Sequence, residues 1–505
     1  MATPFALDDA TVATLQAAMQ AGRLSAEALV DHYVRRIQAI DRSGPALRSV
    51  QEVNPDALAI ARALDEERRA TGPRGHLHGI PVLLKDNIAT ADRMETTAGA
   101  LALVGARPRR DSFVAQRLRE AGAVILGKAA LSEWANFKSN PSSSGWSGRN
   151  GQARNPHVLD RTPGGSSSGS GIAVAAGLVT VSVGTETDGS IMSPAAANGV
   201  VGIKPTVGLT SRAGVIPISA TQDTIGPFGR TVADAAALLG AITGVDPRDP
   251  ATAASAGKAH ADYTRFLDRD ALRGARVGVP RHGYFGYSAS ADAAADAAIA
   301  ILHSLGAEIV DPVTIAHFDR EALTAPERIV FCYELKAGVN AYLADVAPGG
   351  VVKTLQDVIA FNTRHASENL PFFGQQWLER AQAKGPLTEP EYLDALAACR
   401  RLGRDPFDAA FEEYRLDAMV APTSTPPWPI DLVNGDSSRG SSAKSAALAG
   451  YPLISVPAGE VRGLPLGITF MGRAWSEPRL IGFAHAFEQA TQARRTPRFL
   501  TTLAS

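Results

Sequence analysis

Four serines set among glycines, PGGSSSGSG at 163–171, offer hydroxyls that could attack an acyl carbon or relay a proton. The stretch contains G-x-S-x-G at Gly165, Ser167 and Gly169, the nucleophile-elbow spacing that would make Ser167 the attacking residue. An elbow serine follows a short apolar strand, whereas the segment before Gly164, NPHVLDRTP, is polar and broken by Pro156 and Pro163. That context rules against Ser167. Glycine–serine clusters are also ordinary loop composition.

Two further pieces carry chemistry. Lys85 closes the apolar run PVLLKDN. A lysine there either snorkels at a strand end or is desolvated, and desolvation would lower its pKa from about 10.4 towards neutrality and make it a general base. VSVGTETDGSIMSP (181–194) runs from a strand into a polar loop whose first hydroxyl after the glycine is Ser190. Successive N–H groups in such a tight loop can converge on one oxyanion. Taken singly, each piece also has an ordinary structural explanation.

The elements that must position these residues follow from hydrophobic periodicity. Residues 8–22, 25–40 and 54–70 read as helices, with Asp8 and Ser25 as N-caps of the first two. HGIPVLLKDN (78–87) and AVILG (123–127) read as buried strands, with a helix over 111–121 between them. A helix of small residues at 171–178 and a strand over 179–189 follow, and strand-like runs return at 417–423 and 453–459. Strand and helix alternate, so the class is α/β with a largely buried sheet. The pattern predicts one domain over 1–505: a catalytic core at 75–240, a charged helical insertion at 260–410, and closing strands and a helix at 415–500.

Composition narrows the field further. Fifty Lys and Arg against 51 Asp and Glu leave a net charge of -1, with no basic run to bind nucleic acid or an anionic membrane surface. Cys332 and Cys399 are too few and too far apart for a disulfide framework or a cysteine-rich metal site, and fit a reducing compartment. The N-terminal stretch lacks an apolar export signal and no 18-residue apolar run occurs, so the expectation is a cytoplasmic protein. GAVILGK (122–128) imitates a phosphate-binding loop, but Ala129 stands where a metal-holding hydroxyl belongs and the middle is strand-like. The pair His76 and His78 lacks a third metal ligand. Two S-x-x-K matches, Ser255 to Lys258 and Ser441 to Lys444, lack the partner motifs of that chemistry and read as chance.

Order and spacing of the three pieces are more specific. Lys85 in GIPVLLKDN, Ser166 in GGSSSGS and Ser190 in GTETDGSI, the serines 24 residues apart, resemble the amidase signature family. So do ALSEWANF (130–137), ANGVVGIKPTVGLTSRAG (197–214), DTIGPFGRTVADAA (223–236), GYPLISVPAG (450–459) and GLPLGITFMG (463–472). The resemblance runs from roughly 8 to 495, and within the family the chain is most similar to the bacterial peptide amidases.

That resemblance implies a large mixed, mostly parallel twisted sheet covered by helices on both faces. It implies a serine amidohydrolase that cleaves carboxamide C–N bonds, deamidating C-terminal peptide amides through an acyl-enzyme. Ser190 would attack, Ser166 would bridge on a cis Gly165–Ser166 peptide bond, and Lys85 would be the base. Backbone N–H groups of Thr187, Asp188, Gly189 and Ser190 would form the oxyanion hole. Gly165, Ser167 and Asp223 would surround the triad, and Trp134, Phe137, Trp146 and Trp428 are candidate pocket walls. No metal or organic cofactor is implied, and the partner would be a small-molecule or peptide amide met by a monomer or homodimer. The alternatives are a small-amide or aryl-acylamide amidase, an esterase, and a non-catalytic or transamidosome-type subunit. Two positions depart from the family: Asp188 stands where a glycine is common, and Met192 where an arginine is. A carboxylate at 188 would repel a developing oxyanion unless it points away or meets a donor.

Overall fold

The structure, a computed structural model, describes residues 7–503. One 11-stranded sheet organises them. From edge to edge its strands are Val50–Val53, Val124–Ala129, Pro81–Lys85, Val181–Glu186, Thr224–Gly229, Val201–Lys204, Leu453–Val461, Leu464–Met471, Ala418–Pro422, Arg276–Gly278 and Glu308–Val310.

Alternate residues of the central strands enter different cores, as strand geometry requires. Met419, Ala421, Leu453 and Met471 pack into one apolar cluster, while Ala418, Val420, Ile454 and Phe470 pack into the other. Both faces are therefore covered, which is why these strands read as unbroken apolar runs rather than alternating ones.

The sheet is mixed, but it is not mostly parallel: six of its ten strand pairings are antiparallel and four are parallel. Apolar runs report burial on two faces and carry no direction, so the sequence could not separate the cases. The longest antiparallel pair, Leu453–Val461 with Leu464–Met471, is closed by Arg462 and Gly463, both at positive φ (51° and 80°). Two left-handed residues in a two-residue loop match the twist of a hairpin.

Two other expectations change. The first helix spans Val12–Gln20 and is capped by Thr11, whose hydroxyl accepts from Thr14 N; Asp8 instead pairs with Arg36 at 2.7 Å. Ser25 does cap the second helix, accepting from Ala28 N at 3.0 Å. The expected helical insertion at 260–410 includes Arg276–Gly278, Glu308–Val310 and the helix Ala289–Ser304, which belong to the sheet edge and its cover. The run of helices outside the sheet begins with Arg320–Asp345. No helix among the described residues is long and apolar enough to cross a membrane.

Candidate active site

Three neighbouring parallel strands, Val124–Ala129, Pro81–Lys85 and Val181–Glu186, end on the same edge of the sheet. Lys85 is the last residue of its strand and is fully buried. Its Nζ lies 2.8 Å from Ser166 Oγ, 2.8 Å from Thr185 Oγ1 and 3.1 Å from the Thr185 carbonyl. Burial pulls the amine down to about 7, against the opposing pull of the Asp223 and Glu186 carboxylates. An ammonium could donate three hydrogen bonds here. A neutral amine would donate two to Thr185 and accept one from the Ser166 hydroxyl, a satisfied arrangement with no buried charge.

The glycine–serine stretch turns into the helix Ser168–Ala175, and the Gly165–Ser166 peptide bond is cis. The loop is pinned from several sides. Ser132 N donates to the Ser166 carbonyl at 3.0 Å, Ser167 N to the Ser190 carbonyl at 3.1 Å, and Ser168 Oγ to the Gly164 carbonyl at 2.6 Å. Gly165 is needed for close approach: a Cβ there would stand 2.5 Å from Ser132 Oγ and 2.8 Å from Ser144 Oγ. Ser167 is no elbow nucleophile. Its buried hydroxyl donates to the Thr185 carbonyl at 3.0 Å and accepts from Thr185 N at 3.2 Å, fastening the loop to the strand.

Residues 187–190 form the turn between the strand Val181–Glu186 and the helix Met192–Asn198. Gly189 sits at φ +81°, where a side chain would be strained. The Glu186 carboxylate folds back under this turn and accepts from Ile191 N at 2.6 Å and Met192 N at 2.9 Å, with Gly189 N–H also directed towards it. The N–H groups of Thr187, Asp188 and Ser190 make no hydrogen bond to the protein among the described residues. Thr187 Oγ1 donates to Asp223 Oδ1 at 2.6 Å, and the other Asp223 oxygen accepts from Ile218 and Ser219 N. Burial pushes Asp223 up to about 6, against the Thr187 hydroxyl and the backbone donors. The Asp188 carboxylate does meet a donor, Lys444 Nζ at 2.5 Å.

The structure thus brings Lys85, Ser166, Ser167, Thr187, Asp223 and the loop 187–190 together. The aromatic candidates scatter. Phe137 stacks on Trp377 (centroids 5.1 Å apart) and meets Phe331 edge-on at 5.5 Å, in the apolar core that joins the outer helices to the sheet domain. Trp134 belongs to that core too. Trp146 packs against Phe372 and Phe373, and the Trp428 indole donates to Asp436, which also holds Ser144. For Phe137 the core role has a measurable consequence: Phe137→Ala should cost about 3–5 kcal/mol, read as a lowered urea midpoint.

Sequence reasoning missed Thr185, although it lies inside the quoted GTETDGSI, because nothing in the spacing marked its hydroxyl as the second partner of Lys85. It also set aside Lys444. The Ser441–Lys444 match is indeed no catalytic pair, since Ser441 Oγ accepts from Ala443 N, yet Lys444 itself reaches the site.

Comparison with known proteins fits this geometry. The amidase family profile matches residues 28–481. The native peptide amidase of Stenotrophomonas maltophilia is 51% identical, with a TM-score of 0.93 over 98% of this chain and 100% of that one. A probable amidase of Arabidopsis thaliana is 44% identical over 99% of this chain and 93% of its own length. One component of the glutamyl-tRNA(Gln) amidotransferase of Halorhodospira halophila is 36% identical over 95% of this chain and 97% of its own length. Matching the family profile over most of its residues and these proteins over nearly its whole length, the chain belongs to the amidase signature family and is an amide-hydrolysing enzyme.

Proposed function

We propose that the chain deamidates C-terminal peptide amides through a Ser190–Ser166–Lys85 relay. One observation carries the mechanism: a fully buried lysine, pulled down to about 7 by burial, sits 2.8 Å from the hydroxyl of Ser166. Neutral Lys85 takes the Ser166 proton as Ser166 takes that of Ser190, and the Ser190 oxygen attacks the carboxamide carbon. The carbonyl oxygen becomes an oxyanion facing the N–H groups of Thr187, Asp188 and Ser190, which have no other protein acceptor among the described residues. The proton returns through Ser166 to the leaving nitrogen, the C–N bond breaks and ammonia departs. Water then attacks the acyl-enzyme, giving up its proton along the same relay, and Ser190 is released with a free carboxylate product.

The peptide amide as substrate is supported by the likeness to the Stenotrophomonas peptide amidase, which at 51% identity exceeds the 36% shared with the amidotransferase component. The test is a panel of peptide amides, unamidated peptides, small aliphatic and aryl amides, and esters, with the leaving group of each (ammonia, amine or alcohol) measured. Peptide amides should give the highest kcat/KM by at least about tenfold, a margin of roughly 1.4 kcal/mol of transition-state binding. Faster turnover of small amides, aryl amides or esters would replace the peptide reading with one of those. No turnover of any of them would mean that the amide this enzyme hydrolyses lies outside all of these classes.

A further inference from the structure

Lys444, Asp188 and Glu327 form a charged cluster at the loop 187–190. Lys444 Nζ lies 2.5 Å from Asp188 Oδ2 and 2.5 Å from Glu327 Oε2. The lysine and Glu327 side chains are 7% and 3% exposed, while that of Asp188 is 23% exposed. Glu327 comes from the long helix Arg320–Asp345, and its second oxygen accepts from Gln222 Nε2 at 3.0 Å. Through Lys444, Glu327 and Gln222 are thus linked in turn to one residue of the loop that carries Ser190.

We propose that Lys444 is a positioning residue of the amidase reaction, holding the Asp188 carboxylate in an ion pair and offsetting its charge where the substrate oxyanion forms. The inference rests on the relay and oxyanion loop described above. Asp188 contributes a backbone N–H to that loop, but its side chain is an anion next to the place where another anion must develop. Like charges at that separation in a poorly solvated site oppose each other strongly. The geometry supplies the remedy, because the carboxylate is tied to the Lys444 ammonium at 2.5 Å. Burial works against the charge on Lys444, and the two carboxylates overcome it, holding the lysine above its ordinary value. Glu327, its carboxyl pushed up by burial against the pull of Lys444, holds the other side of the ammonium.

A structural lysine and a charge-cancelling one make different predictions. Lys444→Met should lower kcat by about 10²-fold with KM changed less than about threefold, the pattern of lost transition-state stabilisation. Lys444→Met combined with Asp188→Asn should recover to within about fivefold of wild type, since the uncompensated charge is gone. A folded double variant as slow as Lys444→Met would overturn the proposal, as would a folded Lys444→Met with wild-type kcat. If Lys444→Met does not fold, Asp188→Asn alone decides. It should bind a peptidyl trifluoromethyl ketone, whose adduct carries the oxyanion, at least about threefold more tightly relative to neutral substrate. Weaker binding of that adduct would count against a cancelled charge. Ser190→Ala serves as the control: full activity there removes the relay itself, whereas loss there with no effect at Lys444 removes this inference alone.

Discussion

Ser190→Ala is expected to abolish turnover, with kcat lower by roughly 10⁴-fold or more, and to abolish labelling by a fluorophosphonate. The choice of serine is physical. Ser166, Ser167, Ser168 and Ser170 are fully buried, whereas Ser190 is 7% exposed and stands at the end of the loop that offers free N–H groups. Three of the buried hydroxyls are committed donors: Ser167 to the Thr185 carbonyl, Ser168 to that of Gly164 and Ser170 to that of Val183. A hydroxyl whose proton is held by a buried carbonyl has no base to take it and no substrate to attack. Ser166 faces the lysine, which in the proposed relay suits it to be the conduit rather than the attacking group. Peptide mapping of the labelled wild type should find the adduct on Ser190. An adduct on Ser166 or Ser167, or unreduced labelling of the variant, would end this assignment. Stability should change by less than about 0.5 kcal/mol, because the small hydroxyl that is lost makes no hydrogen bond among the described residues.

How much of this could be read from the residues depends on the range of the interaction involved. Lys85 was legible because its reason is local: an ionisable side chain inside PVLLK is conspicuous, and the strand Pro81–Lys85 is buried along its whole length. The serine-rich turn was legible for the same reason, and the polar, proline-broken approach to it excluded an elbow; the structure shows Ser167 fastening the turn instead. Strand direction was not legible, since two-sided burial produces the same apolar run in parallel and antiparallel neighbours. Nor was the partner of Asp188. The sequence raises the problem of a carboxylate in the proposed oxyanion loop, but the donor that meets it lies 256 residues away at Lys444, in a stretch whose local pattern suggests nothing. Phe137 shows the same limit of range. An aromatic residue beside a conspicuous motif invites a binding role, yet the far-off helices carrying Phe331 and Trp377 make it core.

Lys85→Met should reduce kcat/KM by at least about 10³-fold and erase the acidic limb of the pH profile, because general-base transfer through a positioned group is worth roughly that much. In the wild type the limb should rise through about pH 7, where burial has brought the amine. Below that pH the lysine is an ammonium and cannot accept the relayed proton; above it the base is free. A depressed pKa alone would not single out this residue. Lys128 and Lys204 are equally buried and are each lowered to about 8 by the same desolvation. Lys204 gives its hydrogen bonds to backbone carbonyls, at Tyr451 and Pro205, and Lys128 to the Ile88 carbonyl and the Thr96 hydroxyl. Only Lys85 of the three touches a serine of the site, so geometry selects what burial merely permits. Stability provides a second readout with a defined sign. A lysine whose folded value lies below its unfolded one binds fewer protons in the native state, so its contribution to stability grows as pH rises from about 7 towards 10.5. The stability of wild type relative to Lys85→Met should therefore increase across that window. A difference flat with pH would mean that the lysine is charged in the native protein, and a charged Lys85 could not start the reaction.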